Sequence, residues 1–178
     1  MSTPTTPAVI LRPATVDDVP QILTFIHALA AYEREPPSTV AATIPSLTST
    51  LGFTGGPAYA RTILAFTPTG EPAGMALYFN NYSTWRAKPG IYLEDLWVEE
   101  KYRGRGYGTA LLARLAKEVG EIGGGRLEWS VLKWNEPSIK FYESIGAQNM
   151  GKEWQVMRVD GKALEELAEK GPVAEWKV

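Results

Sequence analysis

Apolar residues recur at helical spacing in two segments of the chain, which predicts two amphipathic helices. The first has its apolar stripe at Ile22, Leu23, Ile26, Leu29 and Ala30. Thr15 or Asp17 would cap it, and the pair Pro36-Pro37 must end it, since proline cannot continue a helix. The second spans residues 109–122, with its stripe at Leu111, Leu112, Leu115, Ala116 and Val119. Weaker patterns predict helices over residues 38–51, interrupted by Pro45, over 138–144 and over 162–169.

Short apolar or alternating runs predict strands between and after these helices. They cover residues 9–12, 62–67, 73–81, 91–98, 126–132, 147–150 and 154–159. The segment Pro68-Thr69-Gly70-Glu71 has the composition of a turn, so the second and third strands should form a hairpin. Because hairpins alternate with helical crossovers, we predict an α/β (α+β) fold of one domain. Its sheet should be twisted, mixed and mostly antiparallel, with helices on its faces.

Composition and charge exclude several classes of function. The 178 residues include no cysteine, which excludes disulfides, thiolate metal sites and a cysteine nucleophile. The one histidine, His27, excludes a His-rich metal site, and we expect no metal. The 18 Lys and Arg residues against 20 Asp and Glu residues give a net charge of -2, without the basic excess of a nucleic-acid-binding protein.

The sequence shows neither an apolar run long enough to span a bilayer nor a signal-peptide pattern. We therefore expect a cytoplasmic protein with no membrane contact. We expect residues 1–8 to form a disordered N-terminal tail, residues 9–170 the domain, and residues 171–178 a C-terminal tail.

Three alternating glycines lie between the strand predicted at 91–98 and the helix predicted at 109–122. They are Gly104, Gly106 and Gly108, and Arg103 precedes them. Glycine allows a pyrophosphate to approach the backbone, and the positive end of a helix dipole favours an anion. The spacing fits neither the dinucleotide fingerprint nor the P-loop. A glycine-rich surface turn or an RGG-like nucleic-acid segment remains the alternative, but neither explains the position between a strand and a helix.

A second cluster of candidate residues follows the strand predicted at 126–132. Asn135 precedes Pro137, an arrangement typical of a helix start. In a helix from Ser138, Tyr142 lies on the same side as the first turn and could face the same cleft as the glycine loop. A phenol can donate a proton to a thiolate leaving group. The alternative is that Phe141 and Tyr142 only pack against the sheet.

The pattern R-x-x-G-x-G after a strand resembles the acetyl-CoA loop of the GNAT acetyltransferase superfamily. Further motifs occur with it in a fixed order: Arg12-Pro13-Ala14-Thr15, Tyr32-Glu33, Tyr92-Leu93-Glu94-Asp95, Trp134-Asn135-Glu136-Pro137-Ser138 and Phe141-Tyr142. Together they resemble the diamine (spermidine/spermine) N-acetyltransferase family. The segment Tyr82-Ser83-Thr84-Trp85 makes the thialysine N-acetyltransferase subgroup the nearest match.

This resemblance implies a GNAT fold, acetyl-CoA as co-substrate, a homodimer, and a site made of matching positions. The residues implied for acetyl-CoA are Leu96, Trp97, Val98, Arg103, Gly104, Arg105, Gly106, Tyr107, Gly108, Thr109, Asn135, Glu136, Pro137 and Ser138. Those implied for the amine substrate are Tyr32, Glu33, Glu94, Asp95, Glu128, Trp129 and Ser130. Tyr142 matches the family's proton donor.

Glu94 and Asp95 lie side by side in an apolar strand, so we expect their side chains to point to opposite faces. A protonated amine must lose a proton before it attacks a thioester, and we assign that proton to Glu94. The alternative is a solvated pair at a strand edge.

The segment from Arg34 to Val40 contains a single acid, Glu35, whereas polyamine-acting relatives carry more. We therefore expect an N-acetyltransferase for a small lysine-like or diamine substrate that reacts in a ternary complex. A polyamine acetyltransferase and a non-catalytic acyl-CoA-binding protein remain the alternatives.

Overall fold

The computed structural model describes residues 9–170, so both predicted tails lie outside the described residues. The chain divides into two compact units, residues 1–132 and 133–178, and each is described by itself. The first unit contains β1 (Ile10–Pro13), α1 (Val19–Tyr32), α2 (Ile44–Thr50), β2 (Arg61–Phe66), β3 (Pro72–Ser83), β4 (Lys88–Val98), α3 (Tyr107–Glu121) and β5 (Leu127–Trp129). The second contains α4 (Glu136–Ser144) and α5 (Gly161–Ala168).

The five strands form one sheet in the order β1-β2-β3-β4-β5. The first four pair antiparallel, and β5 pairs parallel to β4 because the chain crosses over through α3 between them. The predicted class, a mixed and mostly antiparallel sheet flanked by helices, is confirmed. The predicted hairpin between β2 and β3 is also present.

The pairing of β4 with β3 shifts by one residue in the middle of the strand. Tyr78 pairs with Leu93, whereas the preceding residue, Leu77, pairs with Asp95. Glu94 is therefore the extra residue of a β-bulge. Since paired residues of adjacent strands share a face, the bulge places the side chains of Glu94 and Asp95 on the same face of the sheet. The prediction that they point to opposite faces is wrong, because the alternation of side chains holds only in a strand without a bulge.

The two faces of the sheet pack against different helices. One face, here called the α1 face, contributes Met75, Leu77 and Trp97 to a core with Ile22 and Phe25 of α1. Asp95 lies on this face, two residues before Trp97 in the strand. The sequence pattern for α1 included Ile22 but missed Phe25, which is fully buried.

The opposite face, here called the α3 face, holds a buried polar contact as well as apolar side chains. Glu118 of α3 accepts hydrogen bonds from the Tyr78 hydroxyl at 2.9 and 3.0 Å and forms an ion pair with Arg61 at 3.0 Å. Burial and the contact with Glu118 raise the pKa of Tyr78 to about 12. These contacts attach α3 to β2 and β3, and so fix the helix that follows the glycine loop.

The motif that begins at Arg12 has a structural role. The Arg12 guanidinium donates to both carboxylate oxygens of Asp18, at 2.6 and 2.8 Å, and the Thr15 amide donates to the same carboxylate at 2.7 Å. These contacts, with Arg12 first, lower the pKa of Asp18 to about 2. The motif thus joins the end of β1 to the start of α1.

Three predicted elements differ clearly from the structure. The helix expected over residues 38–51 is the shorter α2, and Pro45 lies in its first turn, where a missing N–H is tolerated, instead of interrupting it. The strands expected at 147–150 and 154–159 are absent, and this part contains one short 3₁₀ turn, Met150–Lys152. A strand needs a hydrogen-bonding partner, and residues 133–170 of the second unit contain no other strand.

Candidate active site

The glycine loop connects β4 to α3 and leaves open space at its backbone. Gly104 and Gly106 have φ angles of +72° and +86°, and a β-carbon on either one would meet no atom within 4 Å. α3 begins directly after Gly106, which has no side chain to cap the helix. The amides of Tyr107, Gly108 and Thr109 in the first turn are therefore suited to bind an anion.

Arg103 connects this loop to the end of α1. Its guanidinium stacks 4.9 Å from the ring centre of Tyr32 and 4.8 Å from that of Trp97, and its Nε donates to the Val98 carbonyl at 3.0 Å. The rings of Tyr32 and Trp97 also contact each other edge to face, with centres 6.2 Å apart. Arg103, which is predicted to contact acetyl-CoA, thus also packs against the ring of Tyr32, which is predicted to contact the substrate.

Near the bulge of β4, the charges of Glu94 and Glu33 act on the partly buried carboxylate of Asp95. Glu33 follows the last residue of α1, while Glu94 and Asp95 come from the bulge. Glu94 is exposed and Asp95 is partly buried. Burial raises the pKa of Asp95 to about 6, and the charges of Glu94 and Glu33 contribute to the same rise. Burial, followed by the charge of Glu35, also raises the pKa of Glu33. Such a cluster attracts a cation, because a bound cation relieves the mutual repulsion.

Three substrate residues were predicted in β5 and directly after it, and they lie on different faces of the sheet. Glu128 pairs with Tyr92 in the parallel ladder and so shares the α1 face, as does Ser130, whose hydroxyl is 2.7 Å from the Tyr92 hydroxyl. Trp129 pairs with Leu93 and lies on the α3 face. Glu128 accepts a hydrogen bond from Asn81 at 2.6 Å and forms an ion pair with Arg126 at 2.8 Å. Its charge is therefore partly neutralised.

The second unit contains the remaining predicted residues. Asn135 caps α4, accepting a hydrogen bond from the Ser138 amide at 3.4 Å, and Pro137 lies in the first turn, as predicted. Glu136 begins the helix and forms an ion pair with Lys140 at 3.7 Å. Tyr142 is partly buried, and its ring centre lies 5.4 Å from that of Phe141. The assignment of Tyr142 and of the Asn135 turn to the site of the glycine loop stays a prediction.

A depression at the end of α1 was not anticipated from the sequence. It has a volume of about 450 Å³ and lies between the last turns of α1 and the Pro36-Pro37 segment, with His27, Arg34 and Glu35 as its polar lining. No motif marks these residues, because their proximity depends on how the chain reverses after α1.

Within residues 9–170 the structure has no helix that is both long and apolar enough to cross a membrane. The same residues contain no group of three or more His, Asp or Glu side chains arranged to hold a metal ion.

Comparison with known proteins agrees with this architecture. An L-ornithine N5-acetyltransferase from Arabidopsis thaliana is 35% identical over 88% of this chain and 86% of its own length. A thialysine N-epsilon-acetyltransferase from Bos taurus is 34% identical over 91% of this chain and 98% of its own. Among solved structures, an integron cassette protein from the mobile metagenome of V. cholerae has the same fold, with a TM-score of 0.74, 24% identity, and coverage of 92% and 99%.

The family model of the GNAT acetyltransferases matches residues 26–147. That range includes the acidic bulge, the glycine loop and α4. The resemblance drawn from the ordered motifs is confirmed, and with it the prediction of an enzyme. The chain belongs to the acetyltransferase (GNAT) family.

Proposed function

We propose that this enzyme transfers the acetyl group of acetyl-CoA to a primary amine of a small lysine-like or diamine substrate, by direct attack in a ternary complex. One observation supports this most strongly. A bulge brings two adjacent carboxylates to one face of β4, and the same strand is followed, after one 3₁₀ turn, by a glycine loop suited to a pyrophosphate. The strand and the loop that follows it would thus supply both charges that the reaction requires, negative for the substrate ammonium and positive for the pyrophosphate.

The loop residues 103–109 fit the co-substrate. Gly104 and Gly106 leave room for a phosphate to approach the backbone, and the first turn of α3 offers amide donors. Acetyl-CoA supplies an activated thioester, and the backbone of residues 96–98 at the end of β4 would align it. The family resemblance also assigns Asn135 to Ser138 to the co-substrate.

Proton transfer is assigned to two side chains. Glu94, the exposed carboxylate of the bulge, binds the substrate ammonium and takes its proton, directly or through water, so that the amine nitrogen can attack the thioester carbonyl. Tyr142 donates a proton to the departing CoA sulfur. Asp95 and Glu33 contribute negative charge that holds the cation before it is deprotonated.

The distribution of acids favours a compact substrate over a polyamine. The charges of Glu33 and Glu94 act on Asp95, and Glu128, another acid on this face, is paired with Arg126. A long polycation needs several spaced carboxylates. The relatives named for ornithine and thialysine, which are both amino acids with a terminal amine, support the same preference.

The experiment is to incubate the purified protein with acetyl-CoA and a panel of amines: thialysine, L-lysine, L-ornithine, putrescine, spermidine and spermine. Free CoA thiol and the mass of the acetylated product are measured at one salt concentration, since screening acts more strongly on a polycation. We expect thialysine or another compact amine to give the highest kcat/KM. Acetyl-CoA binding without CoA release with any amine would instead support a non-catalytic acyl-CoA-binding protein. A tenfold or larger preference for spermine would support the polyamine alternative.

A further inference from the structure

A pair of opposite charges lies on the α1 face of the sheet, at the β5 edge. Arg126 directly precedes β5 and Glu128 lies within it, and the Nε atom of Arg126 is 2.8 Å from Oε2 of Glu128. The two side chains are 37% and 38% exposed. The pair is therefore accessible to a small ligand although its two members contact each other.

Neighbouring residues of β3 and β4 position this pair. Asn81 donates to Oε2 of Glu128 at 2.6 Å, and Nη2 of Arg126 is 3.5 Å from the Tyr82 carbonyl oxygen. A β-carbon on Gly90 would lie 2.3 Å from the Asn81 side chain and 3.1 Å from Cγ of Arg126, so β4 leaves room for the pair only because it has a glycine there. Oε1 of Glu128 and Nη1 of Arg126 take no part in these contacts.

The strand register gives the distance from this pair to the acids of the bulge. Glu128 of β5 pairs with Tyr92 of β4. Tyr92 and Asp95 in turn pair with two residues of β3 that are two positions apart, Phe79 and Leu77. One strand spacing and one two-residue step along a strand separate backbone positions by about 8 Å. This is comparable with the length of an extended lysine side chain, so one small ligand could contact both the bulge and the pair.

The surface between the pair and the bulge is aromatic. The rings of Phe79 and Tyr92 stack with their centres 5.2 Å apart, and both side chains are partly exposed. The Tyr92 hydroxyl is 2.7 Å from the Ser130 hydroxyl, a contact that fixes the ring. A methylene chain would pack favourably on this surface, because the contact removes apolar area from water.

The presence of both charges favours a zwitterion over a second amine. A carboxylate by itself would attract the second ammonium group of a diamine, but here the positive charge of Arg126 opposes it. The α-carbon of an amino acid carries an ammonium and a carboxylate group side by side, and these complement Glu128 and Arg126. Arginine is well suited to the carboxylate, since it can offer two parallel N–H donors.

We propose that Arg126 and Glu128 bind the α-carboxylate and the α-ammonium group of an amino-acid acceptor, whose methylene chain lies over Tyr92 and whose terminal amine lies at the bulge. The pair thereby selects lysine-like amino acids over diamines. The inference rests on the proposed function, since it assigns contacts to the far end of the same substrate. Arg126 and Glu128 determine specificity and take no part in proton transfer.

The test compares L-lysine with two acceptors that each lack one of its groups. Cadaverine lacks the α-carboxylate, and ε-aminocaproate lacks the α-amine. All three are measured with the wild-type protein, Arg126→Met and Glu128→Gln, with free CoA as the readout. Lys162→Met and Glu166→Gln are the matched controls, because they remove the same charges from an exposed ion pair of α5, whose atoms are 3.3 Å apart.

We expect each substitution to reduce a different selectivity. Arg126→Met should lower the ratio of kcat/KM for L-lysine to that for cadaverine by about five- to fiftyfold, as for one partly exposed charge-assisted hydrogen bond. Glu128→Gln should lower the ratio of L-lysine to ε-aminocaproate by a similar factor. Each variant should keep the other ratio, and the controls should keep both. Misfolding would reduce activity with all three acceptors alike, so ratios measured within one variant report recognition.

Wild-type ratios in Arg126→Met and Glu128→Gln, with turnover intact, would overturn this inference and leave the acetyltransferase function standing. A change in only one of the two ratios would overturn it as well, and so would a wild-type protein that prefers cadaverine to L-lysine. If no amine releases CoA from acetyl-CoA, the proposed function itself fails.

Discussion

At the scale of single residues, Asp95 is the side chain whose role the structure changes most. The sequence contains two adjacent acids and no means to rank them, and only the match to a family position favours Glu94. The structure shows that both share a face and that Asp95 is the more buried. Its pKa of about 6 makes its charge dependent on pH near neutrality.

Asp95→Asn should make the protein more stable and less active. The folded state raises the pKa of Asp95 from 3.8 to about 6. The free energy of unfolding therefore falls as the pH rises between these two values, because Asp95 must ionise where it is partly buried. Above about pH 6 the full cost of this ionisation is present. Asparagine removes this cost, which is about 1–3 kcal/mol at pH 8. Urea denaturation at pH 8 measures the gain, and Asp17→Asn, at an exposed aspartate, is the control.

In the wild type, kcat/KM for a cationic amine should rise with pH through about 6 as Asp95 ionises. This rise of kcat/KM near pH 6 should be absent in Asp95→Asn. A variant with wild-type stability and an unchanged profile would show that Asp95 does not contribute charge to the site.

Tyr142 is the residue whose assignment depends most on the family resemblance. Tyr142→Phe keeps the ring and removes the hydroxyl, so kcat should fall by about a hundred- to ten-thousand-fold while acetyl-CoA binding is kept. Steady-state kinetics and calorimetry measure the two quantities. Tyr59→Phe, at a tyrosine that is 70% exposed, is the control. If kcat of Tyr142→Phe stays within about threefold of the wild type, Tyr142 is a packing residue.

At the scale of elements, the sequence predicted the strand, loop and helix around the glycines well. The apolar stripe of α3 and the three glycines are local signals, and the structure begins the helix two residues before the predicted position. The bulge in β4 was not predictable in this way. It depends on the register between β3 and β4, which no short sequence window contains, and it decides the face of Asp95.

The glycine loop can be tested with a matched pair of substitutions. Gly106 and Gly70 have φ angles of +86° and +87°, and a β-carbon added to either would have no atom within 4 Å, but Gly70 lies in the β2–β3 turn. Gly106→Val and Gly70→Val should therefore cost similar stability, of order 1–2 kcal/mol. Calorimetry should show at least about a tenfold weaker acetyl-CoA affinity for Gly106→Val alone. Equal affinities in the two folded variants would remove the loop from the co-substrate site.

At the scale of the whole molecule, the predicted fold class and family both hold, whereas two late strands do not. Residues 147–150 and 154–159 have strand-like composition, but a strand forms only where a partner edge is available, and composition gives no information on that. The residues of the acidic site were predictable from local motifs, but their arrangement was not. Tyr32-Glu33 and Glu94-Asp95 were each identified as motifs, but their convergence on the α1 face follows from the packing of α1 on the sheet.

The central claim is that the acids of the β4 bulge bind and deprotonate an ammonium group for acetyl transfer. The most direct measurement is kcat/KM of the wild type and of Glu94→Gln, with thialysine as a cationic acceptor and hydroxylamine as a neutral one. The substitution keeps the shape of the side chain and removes its charge. We predict a loss of at least about tenfold and an alkaline shift of the pH profile for thialysine, with a change of less than about threefold for hydroxylamine. Equal losses for both acceptors, or wild-type values for both, would contradict the claim.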